Sequence, residues 1–278
     1  MDVEAIDLSR YDTDKSRVYL RNYARECGHL AAGPIALLEL GVKRGGSMLL
    51  WRDLLPQATI AGLDLNPVEI AKDDRIRVYQ GFQQDPAILD RIAAEVAPDG
   101  FDLIIDDASH LGEYTAQSFW HLFPNHLKPG GIYVIEDWGT GYWPDSSDGH
   151  AFTGNRATLG DRSNADGAVA GPGQLELVRR RVRSAAAPVA ATLGRRNPGL
   201  RRRLRKAYTK VEGMGIRKRF PSHDYGMVGF IKQLIDACAI EAINRAAGQP
   251  PTEAQIASVH VYRGQVFIHK SGELRNRP

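Results

Sequence analysis

The sequence predicts an α/β protein. Its expected core is a seven-stranded, mostly parallel sheet with helices on both faces, an antiparallel hairpin at its C-terminal edge and a lid inserted after the fifth strand. Three observations carry this reading. Five short apolar runs alternate with stretches of helical periodicity between residues 34 and 137, the signature of a parallel sheet covered on both sides. The alternation then fails for about eighty-five residues before it returns. The chain closes on two strand-like runs separated by Gly264, which reads as a hairpin.

Taken in order, residues 1–33 form an N-terminal helical segment. Val18, Tyr19, Tyr23 and Cys27 recur at helical spacing over 15–30, with Asp14 as the expected N-cap. The strands follow as IALLEL (35–40), TIAGLDL (59–65), IRVYQ (76–80), FDLIID (101–106) and GIYVIED (131–137). Between them, 47–55, 86–96 and 115–127 have helical rhythm. Residues 138–221 are the lid, first rich in Gly, Asp and Ser and then basic, with two helices broken near Pro198. A helix over 225–247 and the runs SVHVYR (258–263) and QVFIHK (265–270) complete a main domain made of 34–137 and 222–278.

Composition narrows the class. The chain has 278 residues, 43% of them hydrophobic and 25% charged, enough for a sizeable core and unlike a disordered chain. No apolar run is long enough for a membrane helix, and the acidic start does not resemble a signal peptide, so a cytoplasmic location is expected. Cys27 and Cys238 stand far apart without a CxxC, as free thiols in helices. The net charge of +3 is uneven: residues 174–220 carry fifteen Lys or Arg against two acids, a local +13 that leaves −10 elsewhere. That segment invites a nucleic-acid reading. Its only aromatics are Tyr208 and Phe220, and the acidic body would repel phosphates, so the balance is against it.

Chemistry-bearing residues cluster at strand ends, where open α/β sheets bind ligands. In LELGVKRGGSM, Glu39, Gly41, Gly45 and Gly46 end the first strand. The spacing is neither a dinucleotide fingerprint nor a phosphate loop, which favours a cofactor without a pyrophosphate. Asp64 ends the second strand 23 residues after Gly41, where an acid accepts ribose hydroxyls. After the third strand, Gln83 or Asp85 is placed to meet an adenine edge. The strongest signal is the pair of acidic strand ends IIDDASH and VIEDW, which set Asp106, Asp107, Glu136 and Asp137 on one rim. Four carboxylates so placed repel one another unless a cation sits among them, and an all-oxygen set suits Mg2+. His110, three residues beyond Asp107, is of the residue type most often used as a general base.

A parallel sheet that ends in an antiparallel hairpin resembles the Rossmann-like class I S-adenosylmethionine (SAM) methyltransferases. YDTDKS, ELGVKRGG, LDLNP, IDDASH, KPGGIYVIEDWGTGYW and SVHVYRGQVFIHK together resemble the metal-dependent sugar O-methyltransferases of macrolide pathways, over 11–143 and 222–270. The resemblance implies SAM and Mg2+ as cofactors, Asp107, Glu136 and Asp137 as metal ligands and His110 as base. It further implies Glu39 and Gly41 at the methionine moiety, Asp64 at the ribose, and Gln83 near the adenine, with Asp106 on the same cofactor side. Tyr142 and Trp143, at the root of the lid, would stack on sugar rings. Phe82 stands where the family has an acid, Asp12 where glycine is usual, and Ala108 where glycine is common. The implied acceptor is a vicinal diol on a sugar or oligosaccharide. A catechol-type phenol is the alternative, and a homo-oligomer is left open.

Overall fold

The computed structural model describes residues 1–143, 145–149, 224–249 and 255–272. The chain divides into two compact units, Met1–Phe152 with Asp224–Pro278, and Thr153–His223. The second unit, and with it the basic segment and the helix break expected near Pro198, lies outside the described residues.

The first unit is a seven-stranded sheet: β1 (Ile35–Leu40), β2 (Ala58–Asp64), β3 (Ile76–Gln80), β4 (Phe101–Asp106), β5 (Leu127–Glu136), β6 (Ile256–Val261) and β7 (Gln265–Lys270). Its order is β3-β2-β1-β4-β5-β7-β6. The first five strands pair in parallel and β7 runs antiparallel between β5 and β6, as expected.

Strand parity builds two cores, because successive side chains point to opposite faces of a sheet. Leu37, Leu103, Ile105, Ile132, Val134 and Phe267 pack on α1 (Arg17–Cys27) and α2 (Gly46–Leu54). Leu38, Leu40, Ile104, Tyr133, Ile135 and Ile268 pack on α3 (Pro86–Val96), α4 (Gly112–Asn125) and α5 (Gly226–Cys238). A short α6 (Ile240–Ala246) follows. The parity that fills both cores also decides which way each strand-end acid faces.

Local chemistry explains the element boundaries. Asp85 caps α3 through the Ala87 N–H, with Pro86 at the first helical position. The residue weighed as an adenine contact is thus used as a cap. Helix α1 is capped by the Ser16 side chain, which accepts from the Tyr19 N–H, and not by Asp14. Asp14 instead pairs with Lys43 at 3.0 Å. The single helix expected over 225–247 is divided at Ala239, and β5 starts four residues earlier than the apolar pattern suggested, at Leu127. Both cysteines end helices as free thiols, Cys27 buried and Cys238 half-buried. Among the described residues no helix is long and apolar enough to cross a membrane.

Candidate active site

A cleft of about 600 Å³ opens at the C-terminal ends of the parallel strands. Of the residues singled out by the sequence, Gly41, Asp64, Gln83, Asp107, His110 and Asp137 line it. Among the described residues three non-glycine residues have left-handed backbone, Lys43 (φ 52°), His110 (φ 54°) and Asp137 (φ 52°), and all three line this cleft. Such conformations cost about 1–3 kcal/mol each and collect where side chains must be aimed.

On one side of the cleft, the loop after β1 comes close to the loop after β4. Gly41 has φ +83°, and a Cβ there would sit 2.2 Å from the Asp107 carbonyl oxygen, so only glycine lets the two strand ends meet. Asp64 closes the same loop: its Oδ2 accepts the Val42 and Lys43 N–H groups at 3.0 and 2.8 Å, and its Oδ1 accepts from Asn66. The carboxylate is therefore fixed at the cleft wall. Asp12, where the resemblance expects glycine, is held by Arg44 through Nε and Nη2, which fastens the 12–14 segment beside the glycine loop.

At the rim, Asp107, His110 and Asp137 converge, with one ligand atom from each lying within 4.8 Å of the others. His110 Nε2 stands 3.9 Å from Asp107 Oδ1. Tyr19 donates its hydroxyl proton to Asp137 Oδ1 at 2.7 Å. This contact depends on the hairpin turn, since a Cβ on Gly264 would lie 1.8 Å from the Tyr19 oxygen.

The crowding argument made from the four acids is corrected in two respects. First, a cation does stand among the strand-end carboxylates, and it is Lys15. Its side chain is 1% exposed, with Nζ 2.8 Å from Asp107 Oδ2, 2.9 Å from Glu136 Oε2 and 3.3 Å from Glu39 Oε1. Burial opposes its charge, but the three carboxylates prevail and hold the lysine pKa well above its usual value. Second, the acids do not all face one way. Glu136 is 2% exposed and turned toward α1, where Tyr23 donates to its Oε1 at 2.5 Å, while its Oε2 shares the Lys15 ammonium with Asp107. Glu39 is fully buried on the same face and accepts from Ser47 at 2.7 Å, behind the cleft wall. Burial raises the pKa of both Glu39 and Asp107.

Asp106 has the opposite parity and points to the other core. Burial raises its pKa to about 6, against the hydrogen bonds from Tyr133 (3.2 Å) and Gln83 (3.1 Å). Gln83 is used at both ends of its amide: Nε2 donates to Asp106 and Ser118, and Oε1 accepts the Ser109 N–H at 2.9 Å. These two residues brace the 107–110 loop, and Gln83 also lines the cleft while Asp106 lies buried beneath it. The exposed neighbour at the mouth is Phe82, 57% exposed and also lining the cleft. Tyr142 packs edge-on against Trp138 at 6.4 Å, and Trp143 is 54% exposed at the end of the 138–142 turn.

Sequence reasoning missed Lys15, Tyr19 and Tyr23 as part of this site. They lie on one face of the first helix and its approach, and the carboxylates they donate hydrogen bonds to are 92 to 121 residues away. The signal within reach was the helical spacing of a lysine and two tyrosines.

The strand order and the strand-end cleft define a class I SAM-dependent methyltransferase fold. The solved MycE methyltransferase of the mycinamycin biosynthetic pathway, in complex with Mg and SAH, superposes with a TM-score of 0.62 at 26% identity, over 97% of this chain and 56% of that one. A second MycE structure, which also contains mycinamycin VI, gives a TM-score of 0.60 over 97% and 55%. Among curated proteins, the chain is 40% identical over 146 residues to mycinamicin VI 2''-O-methyltransferase of Micromonospora griseorubida, covering 49% of this chain and 36% of that protein. It is 38% identical, over the same length and shares, to demethylmacrocin O-methyltransferase of Streptomyces fradiae. It is 40% identical over 129 residues to a tetracenomycin-C rhamnosyl 3'-O-methyltransferase of Streptomyces olivaceus, 44% of this chain and 32% of that protein. The chain thus spans about a third of the length of these curated relatives. No family model matches it.

Proposed function

We propose that this chain transfers a methyl group from SAM to a hydroxyl of a sugar-bearing acceptor, with Mg2+ or a similar hard divalent ion at the rim. The observation that carries the reading is the convergence of Asp107, His110 and Asp137 at a cleft that the adjoining Gly41–Asp64 loop also lines. The donor set fits such an ion. Three carboxylates (Glu39, Asp107, Glu136) meet a single ammonium, Lys15, and Asp137 accepts from the Tyr19 hydroxyl nearby, so carboxylates outnumber the cation at the rim. Asp107, Glu136 and Asp137 would hold the ion, and when bound it supplies the Lewis acidity that makes an aliphatic hydroxyl a competent nucleophile.

The protein groups divide the remaining work. Lys15 and Tyr19 each take one oxygen of Asp107 and Asp137 and fix the direction of the other. Asp64 receives the ribose hydroxyls, and Gly41 admits the methionine portion past the bare backbone. His110 accepts the acceptor hydroxyl proton as the oxygen attacks the methyl carbon, and the breaking C–S bond leaves its electron pair on sulfur. In-line transfer requires about 3 Å between oxygen and methyl carbon. Tyr142 and Trp143 flank the acceptor side. The names of the relatives favour a sugar on a larger molecule as acceptor. A vicinal diol on a longer glycan is the form we favour.

The test is turnover with SAM and diol-bearing glycosides, followed by product mass. The expected product gains one methylene, and excess EDTA abolishes its formation. His110→Asn, which keeps a residue tolerant of left-handed backbone, lowers kcat by about 10² to 10⁴. A product heavier by one oxygen, or full turnover in EDTA, overturns the proposal.

A further inference from the structure

Helix α1 and the C-terminal hairpin meet a second time, toward the C-terminal end of the helix and on the same face of the sheet as the Asp107 rim. There Glu26, the penultimate residue of α1, faces His260 of β6 and His269 of β7. Its Oε2 lies 2.8 Å from His260 Nδ1 and 3.2 Å from His269 Nε2, and the two imidazole rings are tilted at 44° with centroids 4.7 Å apart. Tyr262 donates its hydroxyl proton to the other carboxylate oxygen, Oε1. The Glu26 side chain is 8% exposed, while His260 is 44% exposed and opens the cluster to solvent.

We propose that Glu26, His260 and His269 form a second metal site that takes a borderline divalent ion such as Zn2+. One ligand atom from each residue lies within 4.8 Å of the other two, from three separate elements, so a small movement brings all three onto one ion. Two imidazole nitrogens with one carboxylate select Zn2+ over Mg2+, which prefers oxygen ligands. Tyr262 fixes the carboxylate from outside, as donors behind a metal ligand do. Each histidine that donates to Glu26 must turn a lone pair to the ion, its proton moving to the other ring nitrogen or to solvent. Burial lowers the His269 pKa, which favours the neutral ring. Three protein ligands leave one position for water on the open His260 side.

Such an ion would clip the end of α1 to the edge hairpin. The same helix carries Tyr19 and Tyr23 to Asp137 and Glu136, so the clip would stiffen the element that holds the rim.

The experiment is titration of metal-stripped full-length protein with Zn2+ against a chromophoric chelator in saturating Mg2+, repeated with Co2+ for its visible absorption. His260→Asn is the decisive variant because its side chain is exposed, with folding checked by thermal melting without metal. The expected result is loss of one Zn2+ equivalent, or at least tenfold weaker binding, in His260→Asn and in His269→Asn. Tyr262→Phe retains the equivalent at lower affinity. Zn2+ held by Asp90, His121 and His126, or by the catalytic rim, survives these substitutions. Unchanged stoichiometry and affinity in folded His260→Asn overturns the proposal.

Discussion

At the scale of single residues, the rim is organised by one ammonium. Lys15 holds Asp107, Glu136 and Glu39 in place and offsets part of their repulsion. Removing one partner of a buried ion group leaves the others uncompensated, at a cost of about 3–5 kcal/mol. Lys15→Met is therefore expected to lose that much stability in urea unfolding, and a loss below about 1 kcal/mol would show that the carboxylates are solvated or protonated instead. The strand-end acids were legible as residues, but their directions were not taken from the sequence. Parity already separates Asp106 from Glu39, because Leu40 and not Glu39 is the register partner of Asp106. The partners that finish the arrangement, Lys15 for Glu136 and Gln83 for Asp106, are joined to them only by tertiary structure.

At the scale of elements, α1 is the spine of the site. Tyr19, Asn22, Tyr23 and Glu26 follow helical spacing and reach Asp137, Gln265, Glu136 and the hairpin histidines in turn. The periodicity of 15–30 showed an amphipathic helix, and Tyr23 and Cys27 are indeed buried. What periodicity cannot show is that the buried face is half polar and ends on carboxylates. Tyr19→Phe removes the hydrogen bond to Asp137 while keeping the ring. We expect Mg2+ affinity to fall about 10- to 100-fold with little change in melting temperature, measured by calorimetry. Unchanged Mg2+ affinity would place Asp137 outside the metal site. Helix α3 falls on the residues its periodicity marked, 86–96, and its local start signal, a capping Asp85 before Pro86, was read instead as an adenine contact. The split at Ala239 and the early start of β5 were not read, because neither carries such a signal.

At the scale of the molecule, the alternation of apolar runs was enough for the fold. A parallel sheet buried on both faces leaves each strand as a nearly continuous hydrophobic stretch, and the closing hairpin announces itself at Gly264. The cleft at the strand ends follows from that topology. Whether the cleft binds the SAM skeleton is the claim on which the functional account stands. Calorimetric titration of the purified protein with S-adenosylhomocysteine, with and without Mg2+, tests it most directly. The account predicts saturable binding in the micromolar range at one site per chain; no binding in either condition, from protein shown to be folded, would contradict it.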